Sequence, residues 1–172
     1  MAITGVLALA VAAGAAGIEP ELVSRSSFSV IGISVRTSNR AEADPETAKL
    51  PSFWRRFFEK VIPDKIPGKK RGGLIFGVYT NYESDHNGAY DLVAAFEADS
   101  LRLVSKGMVG ATVPAGKYLV FHARGQMPEA LIETWTRIWA YFANSSRYQR
   151  AYTTDFESYL EGNKVDIYIA IK

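Results

Sequence analysis

Apolar residues recur along the chain at two spacings, one typical of strands and one typical of helices. Residues 27–37 (SFSVIGISVRT) alternate apolar and polar side chains, which predicts a strand, and Gly32 interrupts the alternation as a bulge would. Residues 45–62 and 128–145 carry aromatic and aliphatic side chains three and four positions apart. This spacing predicts two amphipathic helices.

Short polar turns divide most of the remaining chain into strand pairs. Asn87-Gly88 is a strong hairpin signal, and Ala115-Gly116 and Gly162-Asn163 mark two further turns. The predicted hairpins join residues 74–83 to 89–99, 108–114 to 117–125, and 152–159 to 165–171. Hairpins give antiparallel sheets, so we predict an α+β fold in which two helices cover one face of a curved or barrel-like sheet.

The predicted elements run in the order strand, helix, hairpin twice, which indicates an internal duplication. We expect a single domain over residues 27–172 with pseudo-repeats at 27–99 and 107–172. A loose sequence echo supports the duplication: residues 79–84 read YTNYES, and residues 152–159 read YTTDFESY.

Residues 1–26 form an N-terminal apolar extension. Its first 17 residues are small and apolar, but no Lys or Arg precedes them, unlike in a secretory signal. The run is also short for a membrane span. We therefore expect a retained segment, read as an extra helix, in a cytoplasmic protein that does not enter a membrane.

Composition removes several function classes. The chain has 172 residues, a formal net charge of +2 and no cysteine, which excludes disulfides, zinc thiolate sites and a thiol nucleophile. The small net charge gives no reason to expect direct nucleic-acid binding. His86 and His122 are isolated in sequence, so we predict no metal site, and no motif indicates a cofactor.

Glu157 stands among aromatic residues near the end of the chain, and its role depends on strand register. With a two-residue turn at Gly162-Asn163, Glu157 would face Tyr168 across the hairpin and lie on the solvent side. A one-residue bulge would turn it inward. A buried carboxylate loses hydration, and a lipophilic cation surrounded by aromatic faces would relieve that cost.

Other residues keep two interpretations at this point. For the three tryptophans, Trp54, Trp135 and Trp139, core packing is the default at helical spacing, and large rings also make good cavity walls. Four arginines are predicted to face solvent: Arg55, Arg56, Arg147 and Arg150.

The chain resembles the gyrase-inhibitor-like domains, which also serve as effector-binding domains of AraC-type and MerR-type multidrug-sensing regulators. The resemblance covers residues 27–172 and rests on the twice-repeated element order and three segments. These segments are Ile75-Phe76-Gly77-Val78-Tyr79, Trp135-x-Arg137-x-Trp139, and Asp155-Phe156-Glu157-x-Tyr159 with the ending VDIYIAIK.

The resemblance implies a duplicated fold with a ligand groove between its halves, where a buried glutamate meets cationic aromatic ligands. Glu157 matches that glutamate by motif position, which implies that the two-residue-turn register is wrong or distorted. The expected pocket walls are Trp135, Trp139, Tyr79, Phe156, Tyr168 and Trp54. Family regulators carry a separate helix-turn-helix domain, and no such pattern stands in the 26 residues before the first predicted strand.

These observations together predict a stand-alone binding module for a lipophilic, cationic aromatic ligand. We expect a monomer without enzymatic activity, and a regulatory protein partner fits the resemblance. Two alternatives stay open. One is a small-molecule hydrolase in which Glu157 is the general base and Tyr79 or Tyr168 assists. The other is a protein-interaction subunit.

Overall fold

The protein is described by a computed structural model that covers residues 19–60, 66, 69, 73–102, 104–144 and 147–172. The apolar run at residues 1–17, and the helix predicted for it, lie outside the described residues.

Eight strands and three helices form within these residues, which confirms the α+β class. The strands are β1 (Glu21–Arg25), β2 (Phe28–Ser38), β3 (Ile75–Thr80), β4 (Ala89–Ala98), β5 (Val109–Val113), β6 (Gly116–Arg124), β7 (Asp155–Leu160) and β8 (Lys164–Ala170). The helices are α1 (Asn39–Glu42), α2 (Leu50–Lys60) and α3 (Glu129–Asn144).

All eight strands belong to one antiparallel sheet with the order β1-β6-β8-β7-β3-β4-β2-β5. Strands β7 and β3 are neighbours at its centre. On one side of this central pair the order runs β8 then β6, and on the other side β4 then β2. β2, which precedes α2 in the chain, and β6, which precedes α3, thus lie at equivalent positions on the two sides of the central pair.

The predicted hairpin around Ala115-Gly116 is wrong. β5 pairs with β2, whereas β6 pairs with β1 and β8 near the opposite end of the sheet. Only Pro114 and Ala115 separate β5 from β6. Since so short a link joins strands from opposite ends of the order, the sheet must curl until those ends approach each other, which agrees with the predicted barrel-like curvature.

Gly32 is not at a bulge. β2 pairs with β4 without interruption from Ser29↔Ala98 to Ser38↔Ala89. A Cβ at Gly32 would lie 1.9 Å from the backbone oxygen of Ala94. The glycine therefore permits close backbone approach between two strands.

The first long helix begins later than predicted. α2 starts at Leu50 rather than at residue 45, and the short α1 precedes it. The Ser38 side chain caps α1 by accepting a hydrogen bond from the backbone N–H of Ala41 at 3.2 Å. α1 and the start of α2 thereby lie next to the sheet at the end of β2.

The sheet buries apolar side chains on both faces. On the helical face, Phe53 and Phe57 of α2 and Ile138 of α3 pack against alternate residues of the strands. The curl encloses a second, helix-free core on the other face, which includes Phe76 and Phe156. Because strand side chains alternate, a shift of one residue in register would exchange these two environments.

Candidate functional site

The turn between β7 and β8 decides the orientation of Glu157. It contains three residues, since Leu160 pairs with Lys164, and Gly162 and Asn163 both have positive φ (72° and 55°). The two-residue-turn register is therefore wrong. Glu157 pairs with Ile167 and points to the helical face, where the residue is 1% exposed.

Three neutral donors hold the Glu157 carboxylate. Tyr79 Oη and Trp135 Nε1 donate to Oε1 at 2.8 and 2.7 Å, and Tyr159 Oη donates to Oε2 at 2.7 Å. Gly77 faces Glu157 across the β3–β7 pair, and a Cβ there would lie 2.9 Å from Oε2. The missing side chain at Gly77 thus makes room for the carboxylate.

Burial controls the protonation of this cluster. Burial raises the pKa of Glu157 above its ordinary value of 4.5, although the hydrogen bonds from Trp135, Tyr159 and Tyr79 act in the opposite direction. Burial, followed by the charge of Glu157, raises the pKa of Tyr79 and of Tyr159 well above 10. Both hydroxyls therefore remain protonated donors at neutral pH.

A cavity of about 390 Å³ opens beside this cluster, in the size range of small-molecule sites. Tyr79 and Trp135 are part of its wall, and their ring centroids lie 5.2 Å apart. Glu157 lies behind these two rings. The full lining consists of Asn39, Glu42, Ala43, Leu50, Tyr79, Tyr82, His86, Tyr90, Ile132, Trp135, Trp139 and Arg150.

Arg150 lines the cavity although the residue is only 8% exposed, so its predicted solvent-facing position is wrong. Its Nε and Nη2 atoms donate to Oδ2 of the buried Asp155 at 3.1 and 2.6 Å. Burial lowers the pKa of Arg150, but the charge of Asp155, its hydrogen bonds and the neighbouring Tyr82 and Tyr152 together outweigh that effect, so the pKa is raised overall. Arg150 and Asp155 therefore form a buried ion pair.

Glu42 is a second carboxylate in the cavity wall. It accepts hydrogen bonds from the Thr37 hydroxyl and from the backbone N–H groups of Lys49 and Leu50, the latter two at 3.1 Å. Among the described residues it forms no ion pair. Burial and, after it, the charges of Glu42 and Glu157 raise the pKa of the cavity-lining Tyr90.

The structure separates the predicted wall residues into three groups. Tyr79, Trp135 and Trp139 line the cavity. Trp54 is not in the lining, and its ring lies 5.2 Å from that of Tyr159, one of the donors to Glu157. Phe156 and Tyr168, by contrast, belong to the helix-free face, where their rings stack at 4.3 Å.

Phe156 and Tyr168 are therefore not walls of this cavity. Phe156 is next to Glu157 in β7, so the register that turns the glutamate toward the helices turns the phenylalanine away from them. Sequence reasoning also missed several residues that the fold brings to the site: Glu42, Tyr82, Tyr90, Arg150 and Tyr159. Tyr159 alone had a local signal, because it follows Glu157 by two positions on the same strand.

The part of the chain that the structure describes contains neither a metal-ion cluster nor a membrane-spanning helix. No three His, Asp or Glu side chains there are grouped so as to hold a metal ion. None of the described helices has the length and apolar character needed to cross a bilayer.

Comparison with solved structures shows close relatives of the fold. An integron cassette protein from the mobile metagenome of Vibrio cholerae is 39% identical, with 90% of this chain and 96% of that protein covered and a TM-score of 0.79. A protein solved in complex with tetraphenylphosphonium is 22% identical over 90% of this chain and 94% of that one, with a TM-score of 0.72.

The transcriptional regulator BrlR of Pseudomonas aeruginosa is 29% identical over 158 residues, which is 87% of this chain but 54% of the regulator. The chain therefore spans about half the length of that relative. A family model described as Cass2, the integron-associated effector-binding protein, matches residues 21–171. Since this match covers the sheet, both long helices and the cavity, the chain belongs to the Cass2 family of integron-associated effector-binding proteins, which agrees with the gyrase-inhibitor-like resemblance.

Proposed function

We propose that this protein binds lipophilic aromatic cations in the cavity and that Glu157 supplies the negative charge that favours them. One observation carries the proposal. The buried carboxylate of Glu157 is held by neutral donors alone among the described residues, and two of those donors, Tyr79 and Trp135, form the cavity wall.

The Glu157 charge would act through these rings. A ring that donates a hydrogen bond to a carboxylate is polarised by it, which makes the ring face more attractive to a cation. A cation on the face of Tyr79 or Trp135 would gain about 0.5–2 kcal/mol per well-placed contact. A neutral ligand of the same shape would gain neither this contact energy nor the attraction of the carboxylate.

The remaining charges of the cavity support the same preference. Arg150 is offset by Asp155, while Glu42 has no ion pair among the described residues. The raised pKa of Tyr90, to which both Glu42 and Glu157 contribute after burial, indicates that their negative field reaches the cavity wall. A protein of the same fold has been solved bound to tetraphenylphosphonium, which supports the choice of a lipophilic cation as ligand.

Tryptophan fluorescence provides the direct test, because Trp135 and Trp139 both line the cavity. We expect tetraphenylphosphonium to change the emission in a saturable manner and uncharged triphenylphosphine, in the same cosolvent, to bind much more weakly. Equal affinities for the cation and the neutral compound would contradict a cation site. A lack of binding by both would contradict the proposed cavity function altogether.

The general-base alternative ranks second. A base must come within hydrogen-bond reach of the proton it removes, directly or through one water. Glu157 is 1% exposed and lies behind Tyr79 and Trp135, so those rings would have to move first. Turnover of an electrophilic ester that is lost in Glu157→Gln would favour catalysis. The regulatory protein partner and the monomeric state stay predictions.

A further inference from the structure

Arg150 presents an unused pair of hydrogen-bond donors to the cavity. An arginine side chain is always protonated and carries five N–H groups. Nε and Nη2 donate to Asp155 Oδ2, and Nη2 also donates to the Tyr82 hydroxyl at 3.0 Å. Within the described residues, Nη1 has no acceptor.

The position of Nη1 follows from the burial of its neighbours. No fully buried side-chain nitrogen or oxygen in the described residues lacks a hydrogen-bond partner. Nη1, which has none, must therefore reach open space. Because Arg150 lines the cavity and is only 8% exposed, we infer that this space is the cavity.

The surroundings of Arg150 restrict what Nη1 would bind. Its charge is already offset by Asp155, which is 0% exposed and also accepts a hydrogen bond from the Ala170 backbone N–H at 2.8 Å. The other carboxylates near the cavity, Glu42 and Glu157, repel an anionic ligand. A neutral oxygen acceptor meets the donors without this repulsion.

Aromatic rings surround the same guanidinium. Its Cζ atom lies 4.6 Å from the ring centroid of Tyr152, 5.5 Å from that of Tyr82 and 5.7 Å from that of Trp135. These contacts, together with the two hydrogen bonds to Asp155 Oδ2, fix the orientation of the guanidinium group. The free donors are thus preorganised, which reduces the entropy lost when a ligand binds to them.

We propose that Arg150 Nη1 is a specificity determinant that selects lipophilic cations bearing a neutral carbonyl oxygen, such as a ketone, ester or amide. This inference rests on the proposed function, because the cationic part of the ligand would occupy the aromatic cavity. It adds a polar contact that a purely hydrocarbon cation cannot make.

Two phosphonium ions of nearly identical shape test the proposal. In (4-acetylphenyl)triphenylphosphonium the ring carries a carbonyl group, and in the (4-isopropenylphenyl) analogue a C=CH₂ group replaces it. We expect isothermal titration calorimetry of the wild-type protein to show about tenfold tighter binding of the acetyl compound, the scale of one hydrogen bond to a charged donor. Equal dissociation constants would overturn the role of Arg150.

Variants connect the preference to Nη1. Arg150→Lys keeps a positive charge opposite Asp155 but removes the forked donors, so we expect the acetyl-to-isopropenyl ratio to fall close to one. Arg137→Lys is the matched control, since Arg137 lies on α3 outside the cavity lining, and it should keep the wild-type ratio. A tenfold preference that survives in Arg150→Lys would contradict the inference.

The outcomes also separate this inference from the proposed function. Tight but equal binding of both phosphonium ions would leave the cation site intact and remove the Arg150 contact. Failure of both ions to bind would overturn both proposals. If Arg150→Lys does not fold, the wild-type comparison alone still decides whether a carbonyl acceptor is recognised.

Discussion

Glu157→Gln removes the central negative charge with almost no change of shape. The glutamine oxygen can keep the hydrogen bonds from Tyr79 and Trp135, which both reach Oε1 in the wild type. The amide nitrogen then occupies the place of Oε2, and the Tyr159 hydroxyl, which donates there now, can rotate and accept instead. The variant is therefore expected to fold and to keep the cavity.

The magnitude follows from the position of the carboxylate behind the cavity wall. A cation on the far side of the Tyr79 and Trp135 rings would be roughly 7 Å from Glu157, where two unit charges attract by about 2 kcal/mol at an effective dielectric constant near 20. Loss of this attraction should weaken tetraphenylphosphonium binding about 30-fold. Binding of uncharged triphenylphosphine should not change.

Calorimetric titration of tetraphenylphosphonium at neutral pH measures this effect directly. Glu161→Gln is the matched control, because it makes the same chemical change at an exposed residue of the β7–β8 turn. We expect wild-type affinity in that control. Equal affinity of the wild type and Glu157→Gln would refute the counter-ion argument, and an equal loss in both variants would reduce it to an effect of net charge.

The pH dependence gives the same argument a sign. Because burial raises the pKa of Glu157, its carboxyl group remains protonated over a range above 4.5 in which an exposed glutamate is ionised. Cation affinity of the wild type should rise with pH through this range, and that of Glu157→Gln should stay flat. Protonation of Glu157 in the folded state also contributes to stability. This contribution is fully present below the pKa of the unfolded state and is lost as pH rises through the pKa of the folded state.

Three further substitutions test the supporting structure. Gly77→Ala places a Cβ against Glu157 Oε2, so we expect the free energy of unfolding in urea to fall by about 1–2 kcal/mol; an unchanged value would contradict the close contact. Asp155→Asn leaves the buried Arg150 without its counter-charge and should cost about 3–5 kcal/mol, visible as a lower melting temperature, whereas an unchanged melting temperature would argue against a buried pair. Glu42→Gln should weaken tetraphenylphosphonium binding about two- to fivefold in calorimetry, as for a partly exposed charge, and full wild-type affinity would remove Glu42 from the site.

The spacing of apolar residues predicted most helices and strands, because that spacing is a property of residues close together in the sequence. Which strands pair with each other depends on residues that are far apart in the sequence. Pro114, Ala115 and Gly116 correctly indicate that the chain turns between β5 and β6, but no local feature shows that β5 pairs with β2 instead. Similarly, Gly162-Asn163 fixes the place of the last turn, whereas the orientation of Glu157 depends on whether that turn contains two residues or three.

The sequence echo between residues 79–84 and 152–159 aligns Glu83 with Glu157. The sheet does not place these two residues at equivalent positions. Across the central β3–β7 pair, Gly77 faces Glu157, and Glu83 lies exposed beyond the end of β3. Tyr79 and Tyr159 each follow that facing pair by two residues on their own strands, and both donate to Glu157. The site thus contains two tyrosines, one from each predicted repeat, around a single carboxylate.

The burial of Arg150 would oppose a cation site if its charge were unpaired, since a buried positive charge repels a cationic ligand. Asp155 resolves this conflict, because a buried charge is tolerated when it is paired and hydrogen-bonded, and here the pair is neutral. Arg150 then contributes donors and ring contacts without a net charge. Among the described residues, Glu42 in the cavity wall and Glu157 behind it are left as carboxylates without an ion-pair partner, so the Arg150–Asp155 pair is compatible with the proposed cation preference and adds a polar contact point.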